Sequence, residues 1–272
     1  MRKIIILIPV ILFSTLTFSQ EIAQQPKTFN KGNLYIYWGW NWGWYTRSNI
    51  HFTGEGYDFT LEKVVAKDRQ SHFGVDPYFN PGRITVPQYN YRIGYYFNEN
   101  WDISLGMDHM KYVVQQEQTV TISGSIDGTG TPYDGTYNGD DILITEGFLQ
   151  FEHTDGLNYL NSEIRHTHHL FEKGVMRVNL KEGAGLGVVI PKTNTTLLNK
   201  DRYDEFHLAG YGLDILAGLN FTFYNFFFVQ SEAKGGFIHL PDIRTTNSTS
   251  DNASQHFFFS QVNIVFGGII HL

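Results

Sequence analysis

The chain has 272 residues, of which 42% are hydrophobic, 16% aromatic and 17% charged, and it contains no cysteine. This composition excludes a disordered chain and a coiled coil, and the absence of thiols excludes disulfides and thiolate metal sites. The formal charge of −7 argues against a nucleic-acid partner, because neutralising phosphates requires an excess of Lys and Arg. No change in composition marks a linker between residues 30 and 272, so we expect a single domain.

The first twenty residues have the pattern of a secretory signal peptide. Arg2 and Lys3 precede an apolar run over residues 4–13, and small and polar residues follow as far as Gln20. The alternative is a transmembrane anchor, but this run is shorter than the roughly 20 residues that a spanning helix needs. We therefore predict a signal peptide over residues 1–19, cleaved on export, and a periplasmic segment over residues 20–32.

From residue 33 onward, apolar and polar positions alternate with the period of two that is typical of β-strands. In the first segment Trp38, Trp40, Trp42 and Trp44 share one face. A soluble β-sandwich would also alternate, but its solvent faces would be rich in Lys, Glu and Thr. Here the polar faces are rich in Gly and Asn and the apolar faces are aromatic, which favours contact with lipid. The predicted strands are residues 33–45, 84–98, 101–114, 157–171, 175–190, 206–224, 225–239 and 256–272.

The connections between these strands alternate between short and long. The short ones lie at residues 98–100, 172–174 and 224–225, and the long ones at 46–83, 115–156, 191–205 and 240–255. Tight turns at one end and long loops at the other are typical of an all-β, transmembrane, antiparallel up-and-down barrel, with the short turns and both termini in the periplasm. We predict eight strands over residues 33–272, or ten if a hairpin within a long loop enters the bilayer.

These features identify a resemblance to the small eight-stranded outer-membrane β-barrels of Gram-negative bacteria, and the style of the sequence resembles those of Bacteroidota. The resemblance covers the whole chain after the signal peptide. It implies a location in the outer membrane and contact with membrane lipid and lipopolysaccharide.

The strand positions predicted to point inward carry equal numbers of acidic and basic residues. A barrel of eight strands is narrow enough for its own side chains to fill it, so we predict a buried ion-pair network and a plugged lumen. A narrow pore, or an ion path through these groups, is the alternative. The residues predicted to point inward are Arg92, Glu163, Arg165, Arg177, Lys181, Asp214, Glu232 and Lys234, together with Asp102 and Asp108.

Four polar residues fall on the outward parity of two neighbouring strands. Ser162, His166 and His168 precede the turn at 172–174, and Glu182 follows it. Lipid A deacylases of the outer membrane resemble this architecture and carry a Ser-His-Glu set on the lipid-facing wall, which makes a lipid A-modifying acyl hydrolase the alternative function. The spacing here does not reproduce the family's pattern, so no catalytic residue is assigned. The other interpretation is that the histidines lie at the membrane interface, or that a bulge at residues 183–187 resets the parity.

The ends of the strands near the long loops form a predicted extracellular rim. A binding site is expected there from Asp108, His109, Glu152, His153 and Asp155, whose spacing matches no metal motif. Loops 46–83 and 115–156 contain strand-like stretches, and long structured loops are commonly functional. Residues 194–196 and 247–252 are expected to be flexible. We therefore expect a non-enzymatic protein without a cofactor, whose first two long loops bind an envelope component or a protein partner.

Overall fold

The computed structural model describes residues 30–272, so the predicted signal peptide and most of the segment at 20–32 lie outside the described residues. No helix within residues 30–272 is long and apolar enough to cross a membrane. The strands are β1 (Leu34–Tyr45), β2 (Ser48–Gly54), β3 (Tyr57–Val64), β4 (Ala66–Lys67), β5 (Tyr89–Tyr96), β6 (Trp101–Val114), β7 (Thr119–Ile126), β8 (Gly135–Leu143), β9 (Leu149–Lys173), β10 (Met176–Leu197), β11 (Tyr203–Phe206), β12 (Gly210–Phe223), β13 (Phe227–Arg244) and β14 (Asn252–Ile270), with a short helix α1 (Val75–Tyr78) between β4 and β5.

Eight of these strands close into a ring of antiparallel pairs. The order around the ring is β1, β5, β6, β9, β10, β12, β13 and β14, and β14 pairs again with β1. Trp38 on β1 lies opposite Tyr91 on β5 and opposite Phe266 on β14. The predicted eight-stranded up-and-down barrel is confirmed. Ten strands is wrong, because the hairpins of the first two long loops pair outside the ring.

Apolar side chains cover the outside of the ring. Leu105 on β6 and Ile215 on β12 are 61% and 68% exposed, and the other outward positions on these strands are similarly apolar. Exposed apolar surface on this scale is unfavourable in water and matches the hydrocarbon of a bilayer. A closed barrel satisfies every backbone group within itself, which is the requirement for crossing a membrane with strands. The protein is therefore an integral barrel of the outer-membrane type.

The two longest strands continue well above this apolar belt. β9 has 25 residues and β10 has 22, and their upper parts pair with each other and, through β10, with β11. Beyond the ring, β14 pairs with β2, and the sheet continues through β3 and β7 to β8. Residues 194–196, expected to be flexible, lie within β10 because they pair with residues 150–152 of β9.

This upper part, which we call the extracellular extension, has a hydrophobic core of its own. Phe52 and Phe59 stack across the β2–β3 hairpin with ring centroids 5.3 Å apart, and Phe151 of β9 packs edge-on against Phe52. All three rings are buried. Because the loops build a packed core, they form a folded body over the mouth of the barrel. Its other buried members include Ile50, Leu61, Ile122, Phe148, Leu149, Leu197, Ile243 and Phe257.

Candidate functional site: lumen, rim and outer wall

Glu163 on β9 is the centre of a charged cluster in the lumen. Its Oε1 accepts hydrogen bonds from Arg92 Nη2 and Lys234 Nζ, each at 2.6 Å. Its Oε2 accepts one from Arg165 Nε, also at 2.6 Å. All four side chains are buried. Because one unpaired charge in such surroundings is unfavourable by several kcal/mol, each of the four groups depends on the others.

The cluster extends along the lumen from this centre. Further ion pairs join Arg165 to Glu232 at 2.7 Å, Lys234 to Asp108 at 2.7 Å and Lys181 to Asp102 at 3.1 Å. A glycine makes room for it, since a Cβ on Gly185 would lie 2.6 Å from Cγ of Glu163 and 2.7 Å from Oδ2 of Asp214. At this level of the lumen, ion pairs join side chains from different strands.

Two residues predicted in this network lie at its margins. Arg177 is near the β9–β10 turn, where its Nε is 3.8 Å from Glu172 and its Nη2 donates to Asn225 at 2.5 Å. Asp214 accepts a hydrogen bond from the Tyr159 hydroxyl at 2.7 Å. Within the described part of the chain, no cation lies within 4 Å of Asp214, and its Oδ1 has no hydrogen-bond partner. Asp214 therefore belongs to the polar lumen without being an ion-pair member.

Sequence reasoning missed the tyrosines that complete the network. The hydroxyl of Tyr37 on β1 accepts from Arg92 Nε at 3.0 Å and from Arg165 Nη2 at 2.8 Å. The hydroxyl of Tyr35 donates to Asp102 at 2.6 Å. Both residues lie on the inward parity of β1, opposite the tryptophan face. The parity of β1 was the signal that these two tyrosines point into the lumen. It was overlooked because the aromatic residues of this strand were assigned to the outside.

The five residues predicted at the rim do not form one group. Asp108 lies in the lumen, where it binds Lys234 and accepts from Asn90 Nδ2 at 2.8 Å. His153 is fully buried in the core of the extension, with its Nδ1 3.1 Å from Thr193 Oγ1. The parity of β9 turns His153 inward, because β9 continues as a strand where a loop was expected.

The other three rim residues each have a separate partner. His109 stacks on Tyr89 with ring centroids 4.7 Å apart. Glu152 forms an ion pair with Arg69 at 2.8 Å, and Asp155 forms one with Lys192 at 3.1 Å. The first contact joins the ring strands β5 and β6, the second joins the segment between β4 and α1 to β9, and the third joins β9 to β10, so each of the three residues serves a different connection.

On the outer wall, the predicted polar residues separate into two groups. His166 and His168 on β9 lie beside Glu182 on β10, where His166 is directly opposite Glu182 in register. Ser162 is four residues along the same strand from His166, a distance of about 13 Å at the usual rise per residue. A serine nucleophile needs its general base within hydrogen-bond reach, so this geometry does not assemble a Ser-His-Glu triad. The register shifts of this strand pair lie between Val178 and Asn179 and between Pro191 and Asn194 rather than at 183–187, and Glu182 stays on the outside.

Comparison with known proteins gives matches among solved structures alone. No family model matches the chain, and no curated protein matches it. Among solved structures, the outer membrane protein OprG from Pseudomonas aeruginosa is 10% identical, with a TM-score of 0.40, and the match covers 89% of this chain and 98% of that one.

Two further solved structures are similar at the same level. Neisserial surface protein A is 10% identical with a TM-score of 0.33, covering 85% of this chain and 96% of that one. The attachment invasion locus protein Ail of Yersinia pestis is 11% identical with a TM-score of 0.27, covering 86% and 99%. At these identities no residue role and no activity can be transferred to this chain.

Proposed function

We propose that the barrel anchors a rigid extracellular body, and that this body binds a basic segment of a protein partner along strand β8. The observation that carries the proposal is the position of β8 at the end of the sheet. β8 pairs with β7 along one edge, and among residues 30–272 no strand pairs with its other edge. An open edge offers backbone donors and acceptors to an added strand, which is a common mode of peptide recognition.

The charge of the second long loop supports a basic partner. Residues 115–156 contain no Lys or Arg. Two of their acidic residues, Glu152 and Asp155, are neutralised by cations from other parts of the chain. No ion pair in the described chain involves the remaining six, which are Glu117, Asp127, Asp134, Asp140, Asp141 and Glu146. A concentrated negative field of this kind attracts cationic ligands and speeds their association.

We also propose that the lumen is plugged, which favours an anchoring role over transport. Two observations support this plug: the buried ion pairs around Glu163 and the apolar core of the extension. The same proposal includes three points that rest on the sequence. They are export by a cleaved signal peptide over residues 1–19, contact with lipopolysaccharide, and a Bacteroidota origin.

The test uses purified protein in lipid nanodiscs and two fluorescent peptides, one alternating Lys and Val and the other Glu and Val. We expect the Lys-Val peptide alone to bind, and its affinity to fall with rising salt. The double variant Asp140→Lys, Asp141→Lys is expected to lose about tenfold in affinity, because two exposed attractions of up to about 1 kcal/mol become repulsions.

The matched control is Glu205→Lys, which reverses an exposed charge on β11, away from β8. This variant should bind the Lys-Val peptide as the unmodified protein does. The proposal is overturned if no peptide binds, or if the β8 variant and the β11 variant lose affinity equally.

A further inference from the structure

Three potential metal ligands converge on the outer wall of the barrel. Nδ1 of His166 lies 2.9 Å from Nε2 of His168, and that nitrogen lies 2.8 Å from Oε1 of Glu182. The third distance, from His166 Nδ1 to Glu182 Oε1, is 3.7 Å. His166 lies directly opposite Glu182, and His168 is two residues along on the same face of β9, so the sheet itself holds the donors together. We call these three residues the outer-wall cluster.

Hydrogen bonds alone serve this cluster poorly. Nε2 of His168 is close to a carboxylate oxygen, which can only accept, and to a second imidazole nitrogen, which donates or accepts according to its tautomer. In a neutral imidazole this nitrogen either carries a proton, which it gives to Glu182, or has a lone pair, which accepts from His166, so it cannot bind both neighbours well. A divalent cation in place of that proton would be bound by all three atoms at once.

The distances fit a tetrahedral metal ion. Zinc binds imidazole nitrogen and carboxylate oxygen at about 2.0–2.2 Å, so two of its ligand atoms lie about 3.3 Å apart. The three observed separations of 2.8, 2.9 and 3.7 Å lie on either side of that value. Two histidines and one glutamate are also a ligand set that zinc uses when it keeps a position open for water.

The location gives a cation access to the cluster. His166 lies opposite Trp101 in the register of β6 and β9, and its ring packs against the Trp101 indole with centroids 4.6 Å apart. Trp101 follows the short periplasmic turn, and the Thr167 amide donates to the carbonyl of Asn100 in that turn at 2.7 Å. The cluster therefore lies at the periplasmic margin of the apolar belt. The side chains of His168 and Glu182 are nearly half exposed there.

We propose that the outer-wall cluster binds one zinc-class divalent cation, with water completing the coordination. A metal would also account for a carboxylate on the lipid-facing parity, where a lone negative charge is unfavourable. The site faces away from the lumen and from the extracellular extension, so it is independent of the proposed binding by β8.

The test measures zinc in tag-free, refolded protein that has been stripped with EDTA, incubated with zinc sulfate and dialysed. We expect one zinc per barrel, and a cobalt(II) complex with the intense visible absorption of tetrahedral coordination. Glu182→Gln and His168→Ala are each expected to weaken zinc binding by more than the roughly 10–100-fold that loss of an outer-shell partner causes. Migration of the unheated sample on an SDS gel reports that each variant is folded.

The control is the second histidine pair on the outside of the barrel, His239 and His256. These residues lie opposite each other on β13 and β14 with ring centroids 6.2 Å apart, and no carboxylate joins them in the described structure. The double variant His239→Ala, His256→Ala should keep its zinc. The proposal is overturned if folded unmodified protein retains less than one zinc, if Glu182→Gln and His168→Ala retain it fully, or if the control loses it.

Discussion

Glu163→Gln tests whether the lumen is held together by charge. The substitution keeps the shape of the side chain, removes its charge and replaces one acceptor oxygen by an NH₂ group. Arg92 and Lys234 share one oxygen of Glu163 and Arg165 binds the other, so at least one cation loses its partner and faces a donor. Breaking one buried ion pair costs about 3–5 kcal/mol. We expect the free energy of unfolding to fall by at least that amount.

The matched variant is Asp214→Asn, a buried carboxylate that no cation contacts within 4 Å in residues 30–272. The asparagine oxygen still accepts from the Tyr159 hydroxyl, so the expected loss is about 1 kcal/mol. Both variants would be unfolded with urea from phospholipid vesicles, with tryptophan fluorescence as the signal. If the two losses are equal, or if Glu163→Gln costs less than Asp214→Asn, the ion-pair reasoning is refuted.

Three further predictions concern the seam, the extension and the lumen. Gly39→Ala places a Cβ 2.1 Å from the Ile264 carbonyl oxygen across the β1–β14 seam, which should lower the free energy of unfolding by about 1–3 kcal/mol and lower the folded yield. Gly235→Ala, where the nearest atom to the new Cβ is 3.8 Å away, should be neutral. Equal folded yields of the two variants would contradict this reasoning. Burial lowers the pKa of His153 to about 3, whereas an imidazole in the unfolded chain has a pKa of about 6.5. As the pH drops below about 6.5, the unfolded chain is therefore protonated first, and the stability of the extension should fall by about 1.4 kcal/mol per pH unit. His109, whose pKa burial also lowers, adds to the total slope, so His153→Phe should make the slope smaller without removing it, and an unchanged slope would disprove the assignment. Planar bilayers containing the protein should show no steady conductance, and regular open-channel steps would contradict a filled lumen.

The fold could be predicted from residue parity and loop length. A strand has only two faces, so the alternation in residues 33–45 and 206–224 indicates both the strands and their orientation. The boundaries were less accurate where the chain leaves the ring. β5 begins at Tyr89 rather than at residue 84, and β9 begins at Leu149 rather than at 157. Strands that extend above a bilayer keep the same alternation, so parity does not indicate where the membrane ends.

The sites were harder to predict, because a site depends on which strands are neighbours and at what register. Parity placed Glu163, Arg165 and Lys234 inside, but it could not tell that Asp108 pairs with Lys234 from the opposite wall. Conversely, the outward parity of Glu182 was open to the interpretation that a bulge at residues 183–187 resets the strand. The register of β9 and β10 shows a carboxylate with two histidines beside it, which is information that one strand alone does not contain.

The position of the charged cluster also constrains how the chain enters the bilayer. Before β1 meets β14, the face of the sheet that carries Glu163 and Arg165 is open, and immersing it would bring ionised groups and unpaired strand edges into contact with acyl chains. Neither is tolerated in hydrocarbon, so a half-inserted ribbon is not a stable stage of assembly. Insertion and ring closure must therefore proceed together. Small residues such as Gly39 let the backbones of β1 and β14 approach closely where the ring closes.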